Sequence, residues 1–340
     1  MTIAVASAVV SLGWVEEIHA GGQAEAGSTG DLPATAWSTP LQHTPGLRGV
    51  GDWSNPYGPG LRLVTDHYSL FTTLLKPDCL RVLPGFMESA HRAYNASLPD
   101  PVEPRTRSLI YLFSNRPQWE AFTRDVTGSQ AEVLLKIHEG AYCFNGCCIG
   151  YDIGRERTLA ALGHEGWHQF TSRHFAFRLP SWLDEGMAMT FESFTCRDGT
   201  YEFSASGNAY RLGSLREAVG GGGLIPLDVL LATSPGEVMA VGRTQRLHAF
   251  YSQSYALIRF LQEAGDGEYL CRYRRLVADG LTGRWPLDSE AQTVAADRNM
   301  PKTLEWNRLV GPQLFRYYVT DDVDGIDSQY RAFCARLVGR

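Results

Sequence analysis

Strand-type patterning ends near residue 153 and helical patterning takes over at Arg155, a switch that favours folds in which a sheet comes first and helices follow. Before it, Leu61-Arg62-Leu63-Val64 alternates like a strand and Ser108 to Phe113 is an apolar strand. Ala141 to Tyr151 turns at Asn145-Gly146, a pair that supplies the positive φ angles of a tight hairpin. Leu70 to Ala93 carries helical apolar spacing interrupted by Pro77 and Pro84, and Gln118 to Val126 reads as a short helix. Beyond the switch, helices are expected over Arg155 to Arg173, Ser181 to Phe194, Leu247 to Glu263 and Gly267 to Ala278, with more towards Arg340. The expected class is α+β, with a small mixed sheet in the N-terminal half and a mostly helical C-terminal half.

Composition narrows the function. With 31 Lys+Arg against 37 Asp+Glu in 340 residues, the net charge is −6 and the basic residues are dispersed, so no concentrated positive face is offered to nucleic acid. Arg272, Arg274 and Arg275 read as a solvated helix face. No apolar run reaches the 18 or so residues of a membrane span. Ile3 to Val15 would suit the apolar core of an export signal, with Ala20 ahead of a cleavage point, although no Lys or Arg precedes it and Glu16 and Glu17 follow. The competing reading is an N-terminal strand or helix packed on the body. Residues 1–60, rich in Gly, Pro, Ser and Thr towards Gly60, read as a leader or an extended wrap. Seven cysteines are too few and too scattered for a disulfide scaffold. Cys143, Cys147 and Cys148 match no common zinc spacing and read as buried small side chains or one local disulfide.

The chemistry is concentrated in Gly163-His164-Glu165-Gly166-Trp167-His168-Gln169-Phe170. Its H-E-x-x-H pattern sets two imidazoles one helical turn apart on one face, where they can share a zinc ion. Glu165 projects about 100° further round, beside the metal, where a carboxylate can take a proton from water. Leu159, Leu162, Gly166 and Phe170 supply a buried stripe distinct from the histidine face. A hydrolytic zinc site needs a third protein ligand and an open position. Leu179-Pro180-Ser181-Trp182-Leu183-Asp184-Glu185-Gly186-Met187-Ala188 supplies the candidate, with Ser181 as N-cap, Asp184 completing a capping-box-like start and Glu185 in the first turns of the helix. Glu192, two turns on, is placed to hold the outer N–H of a ligand histidine.

His164-Glu165-x-x-His168-Gln169, then Trp182 to Ala188, then Glu192 seven residues after Glu185, resembles the gluzincin metallopeptidases, in particular the catalytic domain of the aminopeptidase and leukotriene-hydrolase group and related bacterial proteins. The resemblance implies a zincin-like catalytic domain over 61–340, with the sheet and metal-site helices in 61–195 and a mainly helical subdomain in 196–340. It implies one Zn2+ held by His164, His168 and Glu185, with Glu165 as general base. The connection from His168 to Glu185 is two residues shorter than that group usually has. In the family a tyrosine some sixty-odd residues after the glutamate ligand binds the oxyanion, and Tyr251 stands 66 after Glu185. A phenol there would act only as charge builds on the carbonyl oxygen. Tyr255 and His248 are alternatives for the same role.

The aminopeptidases also carry a Gly-x-Met-Glu-Asn strand whose Glu holds the substrate amine, whereas this chain has Gly140-Ala141-Tyr142-Cys143-Phe144-Asn145-Gly146 and no Glu after the glycine. Glu139, within His138-Glu139, reads as part of a surface turn. Exopeptidase specificity is therefore unsupported, and the segment is expected to offer an edge strand to an extended peptide. The expected function is hydrolysis of a peptide or protein substrate by a zinc metallopeptidase. The alternative is a catalytically inactive zinc-bearing binding or scaffold protein of the same fold, against which the intact Glu165 counts, since a structural zinc needs no base.

Overall fold

In the computed structural model of the chain, the described residues are 34–104, 106–137, 140–240 and 242–339. Segments dominated by branched and aromatic residues pair into one six-stranded sheet. Its strands are β1 (Gly49–Asp52), β2 (Leu61–Val64), β3 (Tyr68–Thr72), β4 (Ser108–Phe113), β5 (Ala141–Phe144) and β6 (Cys147–Tyr151), in the spatial order β1-β2-β3-β4-β6-β5. β3, β4 and β6 run parallel, and the β1, β2 and β5 pairings are antiparallel. A short hairpin, β7 (Phe194–Arg197) and β8 (Thr200–Phe203), stands apart from that sheet. The helices are α1 (Ala34–Leu41), α2 (Pro77–Leu80), α3 (Leu83–Ala96), α4 (Arg116–Thr127), α5 (Ala131–Leu134), α6 (Arg155–His174) and α7 (Ser181–Ala188). They continue as α8 (Ala209–Gly220), α9 (Leu227–Ala232), α10 (Pro235–Ala240), α11 (Thr244–Glu263), α12 (Leu270–Thr282), α13 (Ser289–Ala296), α14 (Leu304–Tyr318) and α15 (Val323–Leu337). The fold is α+β, as expected from the pattern switch.

By their internal contacts the residues group into two units. The first comprises the described residues up to Ala93, those within Glu103–Gln169, and Phe194–Glu202. Its centre is the parallel part of the sheet, where all of β3 and β6 are buried. Strands covered on both faces lose the alternation that a one-sided strand shows. Phe71 and Tyr111 stack at 5.0 Å between ring centroids, and Phe113 and Phe122 meet at the same distance. The second unit comprises Tyr94–Val102, Phe170–Ser193 and Phe203–Arg340. It is organised on α11, in which Ala249 to Leu261 is buried without a break. A helix buried all round must be the centre of its layer, and α7, α8 and α12 pack on it.

Several expectations are corrected. Leu70 to Thr72 is strand, part of β3, and the helical spacing read over Leu70 to Ala93 begins in fact at Pro77, with Pro84 in the first turn of α3, where a missing N–H costs nothing. Strands do not stop at residue 153, because β7 and β8 follow. The helix expected to run to Phe194 ends at Ala188 and gives way to a 3-10 turn, Met189–Phe191. Within the stretch to Gly60, read as a leader or an extended wrap, the described residues contribute α1 and the edge strand β1. The apolar segment Ile3 to Val15 and the pair His138-Glu139 lie outside the described residues. No helix among those described is long and apolar enough to cross a membrane.

Candidate metal centre

α6 follows β6 through a turn built by its own side chains. Asp152 Oδ1 accepts the Gly154 N–H and Thr158 Oγ1 accepts the Ile153 N–H, each at 3.0 Å. The helix is then fixed to the sheet by Gln169, whose Nε2 donates to the carbonyls of Leu109 at 2.7 Å and Gly146 at 2.6 Å. One turn earlier on that face is Glu165. Burial, and next the charge of the Glu165 carboxylate, push the Cys148 thiol of β6 well above its usual range. Residues 161–171 are all buried, so α6 is covered on every side there, and the single apolar stripe expected from sequence understates its burial. Cys143, Cys147 and Cys148 lie in the hairpin as buried small side chains.

His164 and His168 meet as their spacing requires. Their Nε2 atoms are 3.2 Å apart and the rings are inclined at 66°. Two nitrogens about 2.05 Å from one tetrahedral zinc would stand about 3.3 Å apart, so the separation is that of two ligands on one ion. One donor atom from each of His164, His168 and Glu185 lies within 4.8 Å of the others, and all three residues are buried. Two imidazoles and a carboxylate are a donor set that zinc accepts in hydrolytic sites. The buried His-His-Glu group fits a metal ion.

Glu185 owes its position to α7, whose start differs from the expectation. Pro180 is the N-cap residue and offers no side-chain acceptor; the Ser181 N–H donates instead to Asn307 Oδ1 at 2.8 Å. Asp184 pairs with Lys302 Nζ at 2.6 Å rather than closing a capping box. Next to the ligand, Gly186 has a packing reason: a Cβ there would stand 2.5 Å from the Ser254 carbonyl oxygen and from Ile258 Cγ1. Only glycine lets α7 lie this close to α11.

Glu192 receives Arg211 as a two-pronged partner, Nε at 2.8 Å and Nη2 at 2.6 Å, together with Asn208 Nδ2 at 2.8 Å. Burial works against the charge on Arg211, but pairing with Glu192 outweighs it and the guanidinium pKa is raised. The same guanidinium lies 5.3 Å from the ring centre of Tyr251 and 5.1 Å from that of Tyr210. Tyr251 is buried on α11. Of its alternatives, Tyr255 donates its hydroxyl to the Ala205 carbonyl, while His248 lies on α11 one turn before Tyr251. Sequence reasoning missed Arg211, Asn307 and Lys302, because partners 19 to 126 positions away carry no local signal. No protein-family model, curated protein or solved structure matches this chain.

Proposed function

We propose that the chain is a zinc-dependent peptidase of the gluzincin type. One observation carries the reading: the donor atoms of His164, His168 and Glu185 converge within 4.8 Å in buried surroundings, with Glu165 on the same helix as both histidines. His164, His168 and Glu185 would hold the zinc, which would supply Lewis acidity to activate water and polarise the scissile carbonyl. Glu165 takes the proton of the attacking water and passes it to the leaving amine. Tyr251 donates its hydroxyl to the carbonyl oxygen as negative charge gathers on it. The β5 edge lends main-chain groups to an extended substrate, with no carboxylate to hold a free amine, so cleavage within a chain is the reading favoured.

Elemental mass spectrometry of the purified chain and of His164→Ala tests the metal. About one zinc per chain, lost in the variant, is expected; no zinc after reconstitution would overturn the reading. A peptide-library screen then tests the reaction, with Glu165→Gln expected to keep zinc and lose roughly 10²- to 10⁴-fold in turnover.

A second reading, a zinc-bearing scaffold without turnover, is favoured by one observation: His164, Glu165, His168 and Glu185 are only 0%, 0%, 1% and 2% exposed. A closed structural site has no need of access for substrate. On that reading zinc is present, no peptide is cut, and Glu165→Gln changes nothing measurable.

A further inference from the structure

The second unit carries two adjoining cavities that the zinc chemistry does not use. One, of about 670 Å³, lies among the end of α8, the glycine run Gly221-Gly222-Gly223, the start of α9 and the start of α11, with Glu217, Arg246 and His248 on its wall. The other, of about 520 Å³, is lined by Asp228, Arg243, Arg246 and Arg308. Val229 and Arg246 belong to both walls and join the two into one groove.

Three features give the groove a chemistry. Arg243, Arg246 and Arg308 are exposed and form no ion pair with any described residue, whereas the described lining of the smaller cavity includes one carboxylate, Asp228. On a chain of net charge −6, three arginines around one cavity create a local field opposite to that of the molecule. At the other end, His248 Nε2 is buried in the wall with no hydrogen-bond partner among the described residues. A buried polar atom left without a partner carries a desolvation cost that a ligand group can relieve. The wall ends at Ala249, two positions before Tyr251 on the same helix.

We propose that this groove binds a polypeptide segment rich in acidic side chains. Arg243, Arg246 and Arg308 pair with its carboxylates, and His248 Nε2 makes a hydrogen bond to it in the larger cavity. That the occupant is a polypeptide rests on the peptidase reading; that it is anionic rests on the groove alone. Guanidinium groups suit carboxylates because the planar fork meets both oxygens.

The test is fluorescence anisotropy with a labelled ten-residue peptide alternating Glu and Ala, against versions with Gln or Lys for Glu. The protein is the full-length Glu165→Gln chain, so that nothing is cleaved. The Glu peptide is expected to bind at least tenfold more tightly than the Gln peptide at low salt, with the difference shrinking as salt rises. Arg246→Glu, which alters both cavities, should weaken it about tenfold, and Arg243→Glu or Arg308→Glu about threefold each. Equal binding of the Glu and Gln peptides, or no response to all three reversals, would overturn the proposal. The two readings fail separately. Cleavage of neutral peptides without acidic preference leaves the peptidase and removes the groove, while tight acidic-peptide binding without any cleavage does the reverse.

Discussion

α6 and α7 both supply donors to the candidate metal centre, yet they are held in opposite ways. α6 has a local entry turn, built by Asp152 and Thr158, and is tied by Gln169 to β4 and to the hairpin turn, 60 and 23 positions earlier. α7 is fastened by residues more than a hundred positions later, with Asn307 at its first N–H and Lys302 on Asp184. A motif can therefore be complete in sequence while half of it depends on distant chain for its aim. The helix whose pattern is easiest to read needs the least help, and the one carrying the third ligand needs the most.

The largest effect that would break this contrast is expected from Lys302→Met. It leaves Asp184 in a pair whose side chains are only 10% and 5% exposed without its ammonium partner. Removing one partner of a buried pair costs about 3 kcal/mol, the low end of the usual range here because Arg178 and Arg298 also act on Asp184. Urea unfolding should show that loss, and the double variant Asp184→Asn with Lys302→Met should regain much of it; a cost below about 1 kcal/mol would deny α7 its distant anchor.

On the α6 side, Gln169→Leu should cost about 2 kcal/mol, because the half-buried carbonyls of Leu109 and Gly146 lose their donor. The same unfolding measurement checks it, and a larger loss than for Lys302→Met would reverse the ranking of the two helices.

The smallest effect expected is a pH dependence at the end of α6. Burial, and then the charge of Arg173, lower the His174 pKa to about 4. The unfolded chain, with an ordinary value near 6.5, binds that proton first, so stability should fall as pH drops from about 6.5 towards 4. With partial screening by solvent the loss is about 1 kcal/mol. Comparing the denaturant midpoints of the chain and of His174→Gln at pH 7 and pH 5 isolates it; identical slopes would remove the assignment.

The elements that were legible in sequence share a property: their signal is local. β2, β4 and the Asn145-Gly146 hairpin came from alternation and turn chemistry, and α6 from its periodicity. β3 was misread because a strand buried on both faces gives an unbroken apolar run, which looks the same as part of a buried helix. The β7–β8 hairpin did carry a signal, since Asp198 and Gly199 take φ of 50° and 76°, the same turn chemistry as Asn145-Gly146. It was hidden by strands of four residues whose exposed faces are polar.

By itself the sequence determined the α+β class, the helix that bears His164, Glu165 and His168, and the identity of Glu185 as the residue to bring to them. Side-chain spacing along one helix is fixed by helical geometry, so the 3.2 Å approach of the two imidazoles follows from their i, i+4 positions. Only the tertiary structure decided how α7 is capped, why Gly186 is glycine, and that Glu192 is gripped by Arg211 beneath Tyr251. Those outcomes depend on which buried charge or N–H finds which partner. That choice is made by desolvation across the whole core, and no stretch of sequence a few residues long encodes it.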